Sequence, residues 1–297
     1  MPFFPTRLIQ LRDIQGIGTG KTAIINCPIG PRYRRIILTL GDAGAGNANA
    51  PAVTGVISGD LKVVLGTKEI RRLTGTQLDL INTSNGAQYG SLGVAGGGGN
   101  GSGRTYLPIF FEEPWRKRAD FQNGLAVETG WLDQNGVFQI KVPLTGTTPV
   151  LGALAIVDDF NSGKPNPVMK YYSDDSNTAA AALDLANLFQ GNPPSDLVST
   201  ISFLDTSDAK TVTVVRLTLN GEIVLDDLTF DQQTDLLKGS DMNPAAGAFH
   251  VVFDHDDLFE SLRQVGAISA SQATLTFSAA SAGTIRRVMQ RVGDPTL

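Results

Sequence analysis

The sequence is poor in the residues that supply covalent and metal-based stability. Its 297 residues include one cysteine, Cys27, and two histidines. A single cysteine excludes an intramolecular disulfide, and two histidines cannot furnish most zinc sites. We therefore expect a fold held together by packing alone, in a protein that is made and folded in a reducing cytoplasm.

Charged and aromatic residues are also scarce. Charged residues form 18% of the chain and aromatic residues 7%, whereas charged residues usually form about 25% of a soluble chain. The 24 basic and 29 acidic residues give a net charge of −5, which provides no overall attraction to nucleic acid. This composition excludes a protein that wraps nucleic acid, and it suits one that hides much of its surface in an assembly.

Long apolar runs are missing as well. No segment reaches the roughly 18 apolar residues that span a bilayer. The opening segment Met1–Arg7 lacks the basic start and the apolar stretch of a signal peptide. We expect neither a membrane span nor a secretory leader.

Alternation of apolar and polar residues is the dominant regular pattern. It is clearest in Phe138–Val142 and Val215–Leu219, where it gives a strand one buried and one solvated face. Other strands are predicted at Tyr33–Leu40, Leu61–Leu65, Tyr106–Phe111, Phe249–Phe253 and Thr274–Ser278. Short helices are predicted at Thr74–Thr83, Ala179–Gln190, Thr229–Lys238 and Asp257–Val265. The fold class is therefore all-β with a few short helices.

The two halves of the chain repeat one pattern of strand, short connection, helix, loop, strand and acidic turn. In the first half its landmarks are Leu61–Leu65, Glu69, Thr74, Gln77, Asp79, Tyr106–Phe111, Glu112 and Glu113. In the second half they are Val215–Leu219, Glu222, Thr229, Gln232, Asp235, Phe249–Phe253 and Asp254. Each helix begins at a threonine, which is a good N-cap. The repeat indicates a duplicated β domain.

Two glycine-rich segments and one candidate linker interrupt this pattern. Gly41–Asn49 and Gly86–Gly103 have too few bulky side chains to offset the entropy of ordering, so we predict surface loops. Thr145–Pro149 lies near the midpoint and has the composition of a short linker. We predict one domain over residues 1–146 and a second over residues 147–297.

The segment Gly16–Thr22 resembles a phosphate-binding P-loop but departs from it twice. The motif needs a glycine where this chain has Gln15, and a helix must follow it. Here Ala23–Cys27 predicts a strand that ends at Pro28. We predict that the segment binds no nucleotide.

Acidic clusters admit two chemical roles beside a structural one. The segment Asp254–Asp257, which includes His255, could ligate a metal, and Asp226, Asp227 and Asp231 could ligate calcium through oxygen atoms. Candidate acid and base residues of a glycosidase are Glu112, Glu113, Asp254 and Asp256. The calcium candidates lack EF-hand spacing, and acidic turns and helix caps explain such residues more simply. We predict no catalytic residue and no cofactor, with a structural calcium ion as the alternative.

The two ends of the chain carry the candidate contact residues. Phe3 and Phe4 are flanked by prolines and suit an arm that inserts into a neighbour or an interface, with a disordered start as the alternative. The basic cluster of Arg286, Arg287 and Arg291 is the candidate contact for anionic lipid or genome. No basic cluster is interleaved with aromatic residues, so recognition of a specific nucleic acid sequence is not expected.

The first half also contains an ordered series of short motifs. They are Ile14-Gln-Gly-Ile17, Gly20-Lys-Thr-Ala23, Pro28-Ile-Gly30, Tyr33-Arg-Arg-Ile36, Leu38, Leu61–Leu65 and Gln77–Asn82. Over residues 1–145 this series resembles the N-terminal domain of the coat protein of corticoviruses and related tailless icosahedral phages that contain a membrane. The second half is connected to that family only through the internal duplication.

The resemblance implies a tandem double jelly roll, with two eight-stranded antiparallel sandwiches side by side, in a major capsid protein that is not an enzyme. It implies homotrimers that form pseudo-hexagonal capsomers over an internal membrane. The implied partners are neighbouring capsomers, penton and minor capsid or membrane proteins, and the lipid. The implied location is the virion shell, after synthesis in the host bacterial cytoplasm. We place the two chain ends on the inner side of the shell and the glycine-rich loops outside.

A carbohydrate-binding or carbohydrate-cleaving jelly-roll module of a phage fibre or secreted protein is the alternative function. Such a module should present exposed aromatic platforms. The chain has two tryptophans, Trp115 and Trp131, so their exposure discriminates between the two functions.

Overall fold

The computed structural model describes most of the chain. The described residues are 6–43, 51–86, 104–115, 122, 124–133, 136–178, 182–185, 196–204, 212–219, 221–239, 242–244, 248–253, 263–264, 273–280 and 283–297. They form two compact units. The first unit comprises Met1–Asp79, Ala87–Met169 and Asp294–Leu297, and the second comprises Leu80–Gly86 and Lys170–Gly293.

The first unit is built from strands β1 to β10, with helix α1 at Gly75–Ser84. The strands are β1 Arg7–Leu11, β2 Ile14–Gln15, β3 Thr22–Asn26, β4 Arg32–Asp42, β5 Asp60–Leu65, β6 Lys68–Thr74, β7 Thr105–Phe110, β8 Val127–Glu128, β9 Phe138–Pro143 and β10 Pro149–Asp158. One sheet has the order β1-β10-β4-β7, and the other contains β3-β9-β5-β6. A short 3-10 turn covers Val53–Gly55.

The second unit contains strands β11 to β19 and helix α2 at Phe230–Gly239. The strands are β11 Val168–Thr178, β12 Ala182–Leu185, β13 Leu197–Leu204, β14 Val212–Leu219, β15 Glu222–Thr229, β16 Ala248–Val252, β17 Arg263–Gln264, β18 Ala273–Ala279 and β19 Gly283–Gly293. Its sheets have the orders β11-β19-β13-β16 and β12-β18-β14-β15.

The strand order is the same in both units once the short strands β2, β8 and β17 are set aside. Each unit then has eight strands, and numbering them along the chain gives sheets of order 1-8-3-6 and 2-7-4-5 in both. Eight strands in two facing sheets of this kind form a jelly roll. The predicted tandem double jelly roll is confirmed.

Each sandwich closes around its own apolar core, which is made by the inward-facing residues of its strands. In the first unit the fully buried side chains include Tyr33, Ile36, Leu38, Val63, Phe111, Phe138 and Ile140. In the second unit the core includes Val198, Ile201, Phe203, Val215, Leu217, Phe249, Leu275 and Phe277. Among them, Phe138, Ile140, Val215 and Leu217 are residues that the period-two patterns predict to face inward.

The sequence repeat corresponds to equivalent elements of the two jelly rolls. It covers the hairpin β5–β6 with α1 and the hairpin β14–β15 with α2. The backbone N–H of Thr74 donates to the Gln77 side chain at 3.0 Å, and Gln77 N–H donates to Thr74 Oγ1 at 3.2 Å. Thr229 and Gln232 exchange the same two bonds, at 2.9 and 3.2 Å. Both helices therefore begin at the same reciprocal capping box.

Two of the four predicted helices differ from the structure. Within Ala179–Gln190, residues Ala182–Leu185 form β12, which pairs with β18. Within Asp257–Val265, Arg263 and Gln264 pair with β13. In both places pairing with a neighbouring strand overrides local helix propensity. The other residues of these two segments lie outside the described part of the chain.

The first unit extends beyond the predicted boundary at Thr145–Pro149. The strand that follows this segment, β10, pairs with both β1 and β4, so the unit continues to Met169. The segment itself is a fixed turn, because the Asp42 carboxylate accepts the N–H groups of Thr147 and Thr148 at 2.9 and 2.7 Å. Among the described residues, no helix is long and apolar enough to cross a membrane.

Candidate functional site

The P-loop-like segment is a hairpin turn between β2 and β3. The helix that would cradle a phosphate is replaced by β3, which pairs with β9 along its length. Thr19 Oγ1 donates to the carbonyl oxygens of Gly146 and Thr147 at 2.8 and 3.1 Å. The turn is thus occupied with intrachain bonds, and the missing helix removes the geometric basis for nucleotide binding.

Arginines at the start of β4 are paired with carboxylates. Arg32 makes two bonds to Asp158, at 2.9 and 2.8 Å. Arg34 Nε lies 2.8 Å from Glu112, which is buried. Two of these clustered arginines are therefore anchored in ion pairs, and the Glu112 carboxylate is engaged by Arg34 rather than poised for acid–base chemistry.

Arg71 is a polar residue whose role sequence reasoning missed. Its side chain is fully buried, with Nε donating to the Met169 carbonyl at 3.1 Å and Nη1 donating to the Phe110 carbonyl. The guanidinium also lies over the Phe111 ring, 4.8 Å from its centroid. The sequence gives no signal of this role, because Arg71 is followed by exposed Arg72 and adjacent basic residues in a strand ordinarily indicate a solvated surface.

Two of the three candidate calcium ligands that the structure describes are engaged by arginine, and the third, Asp231, is exposed in the first turn of α2. Arg216 Nη2 lies 3.1 Å from Asp226 and 2.8 Å from Asp227. Asp254, Asp256 and Asp257 lie outside the described residues. Within the described ranges no group of three or more His, Cys, Asp or Glu side chains is arranged to hold a metal ion.

Neither tryptophan forms an open platform for a sugar ring. Trp115 is half-buried and packs edge-on against Phe110, with ring centroids 5.6 Å apart. Trp131 is also half-buried, and its Nε1 donates to the Glu128 carbonyl at 2.8 Å. The feature expected of a carbohydrate-binding module is not present at either residue.

The five candidate contact residues have different environments. Phe3 and Phe4 lie outside the described residues. Arg286 and Arg287 are half-buried on β19, opposite Leu204 and Phe203 of β13. Arg291 is fully buried. The prediction that it contacts lipid or genome is therefore wrong, because its strand is covered on both faces at that point.

Arg291 belongs to a buried ionic cluster in the second unit. Its guanidinium stacks on Tyr172, 3.3 Å from the ring centroid, and Nη1 lies 3.8 Å from Asp196. Lys170 Nζ lies 3.2 Å from the same carboxylate. Lys170, Asp196 and Arg291 are all inaccessible to solvent. Burial lowers the pKa of Arg291 to about 10, although Asp196 favours the charged form.

A second cluster of buried polar side chains lies around His250 on β16. Nδ1 of His250 lies 2.8 Å from Ser202 Oγ, and its backbone N–H donates to Gln233 Oε1 at 3.0 Å. Its Nε2 has no hydrogen-bond partner among the described residues. Burial therefore lowers the pKa of His250 to about 4 and keeps the ring neutral.

His250 predicts a stability that falls in mild acid. The unfolded histidine binds a proton near pH 6.5, whereas the folded one does so only near its pKa of about 4. Its contribution is therefore complete above pH 6.5 and is lost as the pH falls towards 4. The loss is at most about 3 kcal/mol at 1.36 kcal/mol per pKa unit. Urea unfolding of wild type and His250→Gln at several pH values should show a steeper decline in wild type. Parallel curves would contradict this role.

The two ends of the first jelly roll carry different segments. Arg7 of β1 pairs with Val157, and Thr6 accepts a hydrogen bond from Arg34 at 3.0 Å. The chain therefore enters the sandwich at the end where β4 begins. The glycine-rich segments join it at the opposite end, where β4 finishes and where Leu40 pairs with Thr105 at the start of β7.

Two jelly rolls in one chain, each with the same strand order, place the protein in the double jelly-roll class. A family model described as the viral coat protein P2 N-terminal domain matches residues 8–158, which is just over half of the chain and coincides with β1 to β10. The chain belongs to this viral coat protein family, and it is a structural protein of the capsid, located in the virion.

Solved structures support the same fold at low sequence identity. The major capsid protein P2 from Bacteriophage PM2 matches with a TM-score of 0.77 and 14% identity, covering 98% of each chain. A chain from the atomic structure of Sulfolobus Turreted Icosahedral Virus matches with a TM-score of 0.65 and 12% identity, over 98% of this chain and 91% of that one. The Faustovirus major capsid protein matches with a TM-score of 0.65 and 8% identity, over 99% and 91%. No curated protein sequence matches.

Proposed function

We propose that this chain is the major capsid protein of a tailless icosahedral bacteriophage with an internal membrane, and that it acts as a homotrimer without enzymatic activity. Two equivalent sandwiches per chain give a trimer six similar sandwiches, which suits a pseudo-hexagonal capsomer. The single observation that carries the proposal is the identical 1-8-3-6 and 2-7-4-5 strand order in a viral coat protein chain. Its partners are neighbouring capsomers and the penton, minor capsid and membrane proteins of the virion.

The orientation that we propose places the N-terminal arm towards the internal membrane and the glycine-rich segments outside. The opposite ends of the first jelly roll support this arrangement, since the two features leave the sandwich at different ends. Arg286 and Arg287 remain the basic candidates for anionic lipid, at about 1 kcal/mol each near such a surface. Synthesis in the host bacterial cytoplasm completes the proposal.

The solution mass of the purified protein tests the oligomeric part of the proposal. Native mass spectrometry across micromolar dilution should give three times the chain mass, because capsomer subunits bury more than the approximately 1,200–2,000 Å² of an ordinary interface. A monomer throughout this range would overturn the proposal.

Protease treatment of intact particles tests the orientation. Cleavage within Gly86–Gly103, with both chain ends protected, is the expected result because solvent-facing loops are cut first. Early loss of either terminus from undamaged particles would reject the proposed orientation.

A further inference from the structure

The outward side of the sheet β1-β10-β4-β7 breaks the alternation that the rest of the first jelly roll follows. On β10, Leu151, Ala153, Ala155 and Val157 are buried in the core. The intervening residues therefore point outwards. They are Val150, Gly152, Leu154 and Ile156, and not one of them is polar.

Neighbouring strands extend this apolar surface through their register. Ile156 lies between Leu8 of β1 and Arg35 of β4, and Leu154 lies between Gln10 of β1 and Ile37 of β4. We call the set Leu8, Ile37, Tyr106, Val150, Leu154 and Ile156 the apolar outer face. Leu8 is 67% exposed and Val150 is 37% exposed. Singly exposed apolar side chains are ordinary on a protein surface, whereas a contiguous row of them along a strand, as on β10, marks an interaction surface.

The other sheet of the same jelly roll provides an internal comparison. Its outward row places Lys62 opposite both Lys141 and Arg72, and the next row places Val64 opposite Gln139 and Glu69. That face is therefore mostly charged or polar, as expected for an antiparallel sheet with one side in water. The same domain thus has one outer face suited to solvent and one that is not.

Charge is nearly absent from the apolar outer face. Along β4 between Arg35 and Gly41, the charged residue that points outwards is Arg35. Its guanidinium packs beside Phe110 and lies 3.7 Å from the Glu112 carboxylate. An occupant of this face therefore meets little unpaired charge, and it needs an apolar surface of its own rather than an anionic or cationic one.

We infer that the apolar outer face is where a second copy of this chain docks, an inference that rests on the proposed homotrimer. Four strands about 4.8 Å apart and five or more residues long give a mostly apolar face of roughly 300 Å². This is the size of the apolar centre of an interface. A standard interface buries about 800 Å² per partner, and the surrounding polar rim supplies the remainder. A ring of three chains needs two different contact surfaces on each chain, so the face meets another part of its neighbour.

Cysteine labelling measures whether the face is covered in the native oligomer. Cys27 is the sole native cysteine and is buried, so an introduced thiol reports with little background. Leu8→Cys and Leu154→Cys are compared with the matched control Val64→Cys on the polar outer face. With rates normalised to the unfolded chain, maleimide labelling of the first two should be at least about tenfold slower than that of the control.

A charge substitution tests the location of the contact surface separately from the existence of the trimer. Leu8→Glu combined with Leu154→Glu should convert trimer to monomer in native mass spectrometry, whereas Val64→Glu should leave the trimer intact. The intact fold of the monomer is checked by its urea unfolding midpoint. A persistent trimer whose Leu8→Cys and Leu154→Cys thiols label as fast as the control would overturn the inference and leave the proposed function standing. A wild-type monomer would overturn both.

Discussion

Replacing Asp196 by asparagine should lower the free energy of unfolding by about 3–5 kcal/mol, because the change leaves two buried cations without their shared carboxylate. Lys170 and Arg291 both face Asp196, and none of the three side chains is reached by water. Relief by movement is restricted, since a Cβ added at Gly293 would already overlap the Asp196 carboxylate. The midpoint of urea unfolding, read by circular dichroism, measures the loss.

Two matched variants give this prediction its control. Asp159→Asn removes an exposed carboxylate whose partner Arg7 is also exposed, and should cost about 0–1 kcal/mol. Lys170→Met leaves one cation facing one carboxylate, so it should cost less than Asp196→Asn. If Asp196→Asn unfolds at the same midpoint as Asp159→Asn, the buried cluster does not stabilise the second jelly roll.

Replacing Phe138 by alanine should destabilise the first jelly roll by about 3–5 kcal/mol, the usual cost of removing a buried phenylalanine ring. Phe138 is buried on β9, where its ring lies 4.8 Å from Tyr33 and 5.7 Å from Phe111, measured between centroids. The three rings come from three separate segments of the chain. The cavity therefore opens where both sheets meet, and neighbouring side chains can fill little of it.

Phe160→Ala is the comparison for this second prediction. Phe160 is half-buried, and its ring lies under Arg32 at 4.4 Å rather than in the core. Its loss should cost about 1 kcal/mol or less. Equal unfolding midpoints for the two variants would show that the aromatic cluster does not hold the sandwich together. Thermal unfolding of the purified protein provides an independent measurement.

The strands were predictable where one face of a sheet is buried and the other is wet. Alternation along Phe138–Val142 and Val215–Leu219 indicates both the strand and its inward residues, and β9 and β14 confirm both. The repeat was predictable for a similar reason, since the Thr and Gln residues that begin α1 and α2 are local signals. Such features depend on neighbours in sequence.

The errors arose where distant segments decide the outcome. Ala182–Leu185 has helix-forming residues but pairs with β18. Thr145–Pro149 has linker composition, yet Asp42, more than a hundred residues earlier in sequence, holds its backbone in a turn. Arg291 reads as a surface residue because of its charge, and only the fold shows that β19 is covered on both faces there. The apolar outer face is hard to recognise from sequence, because a continuous apolar strand such as β10 looks like one buried on both sides.

The single thiol has a consequence for the life of the particle after release. Cys27 is buried at the end of β3, and burial raises the pKa of its thiol well above the ordinary value. It therefore stays protonated at neutral pH and is a poor nucleophile. No cross-link can accumulate between subunits through this residue, and ageing by oxidation of this thiol is suppressed.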